Sequence, residues 1–234
     1  MTTNDIYRHA FDLLRSSPVK SAAAVKYSMK RAVSELGPNG FPFEKFVAEI
    51  FKARGYEAVT DQIVYGHCVE HEMDVVAWKG DELIMVEAKF HNEAGIKSDL
   101  KVALYIKARF DDLKGNTFNY GGEERKLTEG WLVTNTKFTD QAIKYGECQG
   151  LKMLGWNYPH KGNLQDIIEE LHLHPFTCLA TLSNTHKKAL LSKGVVLCTD
   201  IADQPNVLNE IGMKKAEADE VIAEIHEVVG NRKN

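Results

Sequence analysis

Apolar residues recur with helical period from Phe43 to Arg54, where Phe43, Phe46, Val47, Ile50 and Phe51 stand at i, i+3, i+4, i+7 and i+8 before Gly55. That spacing predicts a helix with one face in the core. The pattern then shortens to two apolar runs, Val75-Val76-Ala77-Trp78 and Leu83-Ile84-Met85-Val86, separated by Lys79-Gly80-Asp81-Glu82, which predicts a β-hairpin with a two-residue loop. A second helical stretch, from about Ser98 to Leu113, is expected to bury Leu100, Ala103, Leu104, Phe110 and Leu113. Trp131 to Thr136 reads as a strand, Thr139 to Gln149 as a helix and Leu151 to Trp156 as another strand, a βαβ unit that implies a parallel pair. Between them, Gly115 to Thr128 is polar and glycine-rich and reads as a mobile loop. Asp5 to Leu36 reads as two helices broken near Ser16-Ser17-Pro18, the second with Ala22, Val25, Met29, Val33 and Leu36 on its apolar side. Past a break near Pro175, short helices are expected over Ser183 to Ser192, Asn206 to Ile211 and Lys214 to Val229, separated by Gly194 and Gly212. The class is α/β: a mixed β-sheet flanked by helices, with helical N- and C-terminal segments. The expected division is 1–38, 39–160 and 161–234.

A chain of 234 residues, 44% hydrophobic and 26% charged, can bury one sizeable core with a small appendage. A net charge of −4 provides no global basic signature, so any contact with nucleic acid has to come from local patches. Cys68, Cys148, Cys178 and Cys198 are scattered without a CxxC pair, which argues against a zinc ribbon or a disulfide framework. His67-Cys68 with His71 lacks the second ligand pair that a tetrahedral zinc site wants. No signal peptide, membrane-spanning run or lipidation motif is visible, so a cytoplasmic setting with no membrane partner is expected.

The charges at the open end of the hairpin change the picture most. If Trp78 pairs with Leu83, counting outward brings Asp74 opposite Glu87 on one face, and Lys89 follows on that face. Directly opposed carboxylates repel unless a cation lies between them, which points to a divalent metal bound through carboxylate oxygens, with the lysine beside the attacking water. A Glu-x-Lys alone is too common to carry this reading; the register carries it, and a one-residue slip would remove it. Glu44 flanks the apolar stripe of the first helix and can reach the same end of the sheet. His91 reads as a polar loop residue on the rim. Downstream, Lys97, Lys101, Tyr105 and Arg109 recur at intervals of four as a row that suits a phosphate backbone. The bland alternative is a solvated face, and Asp99, Asp111 and Asp112 dilute the basic signal.

The ordered set Glu44, Asp74 and Glu87-Ala88-Lys89 resembles the PD-(D/E)XK nuclease superfamily, the restriction-endonuclease-like fold, and within it the Mrr-type endonucleases. The resemblance spans about Phe43 to Pro159. It includes Phe43-Glu44-Lys45-Phe46-Val47 and the later Trp131-Leu-Val-Thr-Asn-Thr step with Phe138 and Ala142. It implies a Mg²⁺- or Mn²⁺-dependent endonuclease acting on DNA, with Asp74 and Glu87 binding metal, Lys89 serving the attacking water and Glu44 assisting at the metal. Met73 stands where the family name has proline, a departure of little weight. Asn4 to Leu36 looks like the last helices of an ATP-cone, but the strands carrying that module's nucleotide-binding residues have no counterpart, so no ATP binding is expected. The C-terminal helices are spaced like helix-hairpin-helix modules without the Pro-Gly hairpin at Glu210-Ile211-Gly212, and are expected to mediate packing or homo-oligomeric association. The rival reading is a noncatalytic nucleic-acid-binding or assembly module that keeps the nuclease fold. Nuclease assays with divalent metal separate the two.

Overall fold

The computed structural model describes residues 29–37, 40–93 and 95–230. Most of the expected N-terminal helical segment lies outside these residues, but its end, 29–34, is helical, with Met29, Val33 and Leu36 buried as their spacing demanded.

The chain divides into two compact units. One, Leu36–Leu173, is built on a five-stranded sheet of order β1-β2-β3-β7-β9, from Glu57–Tyr65, Glu70–Lys79, Glu82–Lys89, Glu129–Thr134 and Lys152–Leu154. The first three strands are antiparallel, whereas β3, β7 and β9 run parallel. The sheet is therefore mixed, as the alternation of hairpin and βαβ patterns required. Helix α1 (Phe41–Ala53) buries Phe43, Phe46, Val47, Ile50 and Phe51, with the Phe51 ring edge-on to Trp131 of β7 at 5.6 Å. The next residue of that strand, Leu132, joins the core on the opposite face with Val76, Trp78, Leu83, Met85 and the inner side of α2 (Leu100–Leu113). Helix α3 (Asp140–Gln149) adds Ala142 to the same cluster. Period-two alternation in the strands thus feeds two helical layers. Gly130 is needed for that closeness, because a Cβ there would stand 2.4 Å from the Phe110 ring of α2.

Several local expectations are corrected. Helix α2 starts at Leu100, because Asp99 caps it and Lys97–Ser98 (β4) is drawn into a short parallel ladder with Lys137–Phe138 (β8). Leu104 lies outside the core, 44% exposed, and Ile106 takes the inward place. The stretch expected to be a mobile loop is a hairpin of β5 (Thr117–Tyr120) and β6 (Glu123–Lys126). Gly121 and Gly122, both at positive φ (62° and 79°), supply the left-handed two-residue turn that matches strand twist. Tyr120 stacks on Trp78 at 5.4 Å, and Arg125 donates from Nε to the Gly80 carbonyl at 2.8 Å, so the hairpin is tied to the tip of β2-β3. Strand β1 and helix α4 (Leu164–Glu170), capped by Asn163, had no counterpart in the sequence reading.

The other unit joins residues 29–35 to 174–230. Its helices α5 (Asn184–Ser192), α6 (Cys198–Asp203), α7 (Asn206–Glu210) and α8 (Lys215–Val229) enclose Phe176, Leu179, Leu190, Ile201, Leu208, Val221 and Ile225. Thr177 Oγ1 donates to the Ala32 carbonyl at 2.6 Å, which ties the N-terminal helix into this unit. Among the described residues no helix is long and apolar enough to cross a membrane.

Candidate active site

The β2-β3 ladder has Trp78 opposite Leu83 and runs to Val75 opposite Val86, so the next step in that register sets Asp74 against Glu87. The hairpin therefore has the expected register. Asp74 also lacks a partner in β1, whose ladder runs through Thr60↔Val75 and resumes at Gln62↔Met73. Between them Asp61 has φ 58°, a left-handed conformation uncommon outside glycine but among those aspartate adopts, and it interrupts the ladder opposite Asp74. Asp74 thus sits where both ladders lapse, at the carboxyl ends of β3 and β7. In open α/β sheets that end is where ligands bind.

Each of the two carboxylates commits one oxygen to the protein. The Ala88 N–H donates to Asp74 Oδ2 at 2.6 Å, and Arg109 Nη1 donates to Glu87 Oε2 at 2.5 Å. The Glu87 carboxyl is pushed up to about 7, first by burial and then by Asp74, against the opposing pull of Arg109 and Lys89. Asp74 is likewise held above the usual carboxylate range, chiefly by burial, against the Ala88 hydrogen bond and the Arg109 charge. Glu44, in the first turn of α1, is pushed up to about 7 by burial and then by Asp74, Asp61 and Glu72. Three carboxyls that each resist ionisation because they are buried near other negative charge form a set that a cation would relieve.

The donor chemistry fits a hard divalent ion, since Mg²⁺ commonly takes one or two carboxylates and keeps several waters. Among the described residues no group of three or more His, Cys, Asp or Glu side chains is arranged to hold a metal, and Asp74 and Glu87 are the neighbouring carboxylates that could hold one as a pair. Lys89 ends β3, exposed, with its charge acting on Asp74, Glu87 and His91.

A buried polar network absent from the sequence reading supports this end of β3. Thr134 Oγ1 donates to the Lys89 carbonyl at 2.7 Å, Ser98 Oγ donates to Thr134 Oγ1 at 3.3 Å, and His91 Nε2 lies 3.0 Å from Ser98 Oγ. Asn135 brackets His91, accepting from its N–H and donating to its carbonyl, both at 2.9 Å. Ser98, Thr134 and Asn135 are fully buried, and the hydrogen bonds of Thr134 and Asn135 fix the backbone from the Lys89 carbonyl to His91. Burial and the Lys89 charge lower the His91 pKa. The Thr-Asn-Thr run after an apolar strand was the available signal, but nothing local said which backbone it would hold.

The expected cationic row is brought together only in part. Lys97 lies on β4 rather than on the helix; Lys101 and Tyr105 are exposed on α2, Tyr105 by 63%. Arg109 is turned inward. Its side chain is 11% exposed, its Nη2 donates to the Glu72 carbonyl, and its guanidinium lies 5.6 Å from the Tyr105 ring centre. His71 of the discounted His-Cys cluster pairs with Asp112 at 2.8 Å.

These features define a restriction-endonuclease-like domain: a mixed sheet between helical layers with paired acids and a lysine at its carboxyl edge. Residues 38–155 match the family described as restriction endonuclease, just over half of the chain, and the chain belongs to that family. Residues 174–229 match a second family, AF1548-like, C-terminal. An uncharacterized protein of Archaeoglobus fulgidus is 38% identical over 185 residues, which are 79% of this chain and 100% of the relative. The crystal structure of AF1548, a protein of unknown function, aligns with TM-score 0.66 at 38% identity, covering 82% of this chain and 99% of that one. A crystal structure of the MspJI restriction endonuclease with a 27-mer oligonucleotide aligns at TM-score 0.43 and 12% identity, covering 87% of this chain and 40% of that one.

Proposed function

We propose that this protein is a divalent-metal-dependent DNA endonuclease, using Mg²⁺ or Mn²⁺, in which Asp74 and Glu87 hold the metal, Lys89 serves the attacking water and Glu44 assists. The observation that carries the reading is the burial of two carboxylates on adjacent strands, in register and each raised by desolvation, beside a lysine at the carboxyl edge of the sheet. Stability alone favours no such pairing, because like charges set opposite one another cost free energy.

When bound, the metal would supply water activation and charge neutralisation at the scissile phosphate. The Lys89 ammonium would orient the water and stabilise negative charge on the phosphoryl oxygens as the P–O ester bond breaks. Glu44, with its pKa pushed up to about 7, can exchange a proton with water near neutral pH. The network Thr134-Ser98-His91 holds the Lys89 backbone and limits its drift from the attack line. Lys97, Lys101 and Tyr105 would take the neighbouring strand backbone by charge and stacking.

A second reading, a noncatalytic nucleic-acid-binding module, draws on one observation: Glu87 already pairs with Arg109. One experiment separates the two. Purified protein is incubated with linear, branched and single-stranded DNA at increasing Mg²⁺ or Mn²⁺. Cleavage that depends on metal and is lost in Glu87→Gln is expected. DNA binding without cleavage under every metal condition would favour the noncatalytic module.

A further inference from the structure

The carboxylate that the proposed metal needs is held by an arginine. Arg109 reaches from α2 to Glu87 Oε2 at 2.5 Å and to the Glu72 carbonyl, and its ion-pair partner is only 16% exposed. A buried glutamate without a counter-charge is costly, and a guanidinium fork offsets that cost. A divalent cation brought against the same carboxylate would face the guanidinium charge at close range, so the two cations compete for Glu87. Arginine does not deprotonate in this setting, so relief comes only from its moving away. The exposed Tyr105 ring, one turn back on α2, already lies 5.6 Å from the guanidinium, so it is a cation–π contact the side chain can keep as it leaves Glu87. A guanidinium so released has the fork geometry that matches a phosphate.

We propose that Arg109 is the resident counter-ion of Glu87 in the metal-free protein, that a divalent cation displaces it, and that the freed guanidinium passes to a phosphate of the nucleic acid. This deepens the metal-dependent nuclease reading and rests on it. Its consequence is that metal and DNA bind cooperatively through one side chain, each favouring the form the other prefers.

Calorimetric titration with Mg²⁺ alone tests the competition. Arg109→Gln is expected to bind Mg²⁺ on the order of tenfold tighter than wild type, the scale of losing one close competing charge. Arg109→Lys, which keeps the charge and loses the fork, is expected to fall between them, and it carries the test if the glutamine variant misfolds. Binding that stays equal or weakens in these variants, while Glu87→Gln loses it, overturns the exchange and leaves the nuclease reading standing. Equal Mg²⁺ binding by wild type and Glu87→Gln overturns both. In a Lys89→Ala background, which keeps Arg109 and both carboxylates, Mg²⁺ is expected to tighten binding of a labelled duplex measured by anisotropy. Adding Arg109→Gln is expected to reduce that gain to what the metal's own charge supplies, and a gain that is undiminished overturns the hand-over to phosphate.

Discussion

The β2-β3 hairpin has two unlike ends. At the turn, Trp78 and Leu83 face each other, Leu83 is fully buried, and Tyr120 closes over Trp78. The buried backbone there has its hydrogen bond: the Leu83 N–H donates to Thr128 Oγ1 at 3.1 Å. At the open end the same two strands bring together Asp74, Glu87 and Lys89, the β1 ladder lapses at Asp61, and the carboxyls resist ionisation. One end is stabilised by burial; the other holds buried like charge offset within the protein by the Arg109 ion pair. The contrast teaches where the fold is stabilised and where it is poised to bind, a separation expected when a functional site is carried on a rigid scaffold.

Substitutions can break that contrast from either side. The largest effect is expected at the open end: Asp74→Ala, Glu87→Ala and Lys89→Ala should each lower metal-dependent cleavage by about 1,000-fold or more, within the range for losing a group aimed at transition-state charge. Far-UV circular dichroism should stay unchanged. Wild-type cleavage in any one of them removes that residue from the mechanism. Next comes the turn end, where Leu83→Ala should cost about 2–5 kcal/mol of unfolding free energy, seen in denaturant titration, with cleavage per folded molecule preserved. A collapse of cleavage with no loss of stability would reverse the assignment of the two ends.

The charge strain at the open end sets a smaller, pH-dependent effect. The Glu87 carboxyl rises from 4.5 to about 7 on folding, so the folded state holds its proton more tightly than the unfolded chain does. Its contribution to stability is full below pH 4.5 and is lost as pH rises through about 7. Metal-free wild type should therefore lose more melting temperature between those limits than Glu87→Gln does, and Mg²⁺ should restore most of the loss at the alkaline side. Parallel curves would show that Glu87 is not strained. In the same frame Asp74→Asn keeps an acceptor for the Ala88 N–H and removes the repulsion, worth about 0.2–1 kcal/mol, so the metal-free protein should melt a few degrees higher and gain less from Mg²⁺. The smallest effect concerns the rim. Lys101→Ala should reduce the salt dependence of DNA binding by about one unit of logarithmic slope without changing cleavage chemistry, and an unchanged slope returns that lysine to solvent.

Much of the scaffold was legible because its patterns are local. Phe43 to Phe51 repeat at helical spacing, and all five apolar positions are buried. Gly80-Asp81 between two apolar runs set the hairpin register, from which Asp74, Glu87 and Lys89 followed by counting. The β5-β6 hairpin was legible too, in Thr-Phe-Asn-Tyr-Gly-Gly-Glu-Glu-Arg-Lys, but its glycines and charges read as a loop because the apolar face is only Phe118 and Tyr120. Leu104 was misplaced inward because apolar residues are often exposed and periodicity alone does not choose among neighbours on a helix.

The sequence by itself determined the α/β class, the helix of Phe43 to Phe51, the hairpin register and the three charges at its open end, because spacing along one strand or helix fixes which side chains share a face. Only the tertiary structure decided that Arg109 reaches Glu87 across 22 positions, that Ser98 and Thr134 hold the Lys89 backbone, and that residues 29–35 join 174–230. Those contacts depend on where whole elements pack against one another. A side chain such as Arg109 has the same local pattern whether it faces water or a buried carboxylate, so its partner is chosen by the desolvation of Glu87 that packing imposes.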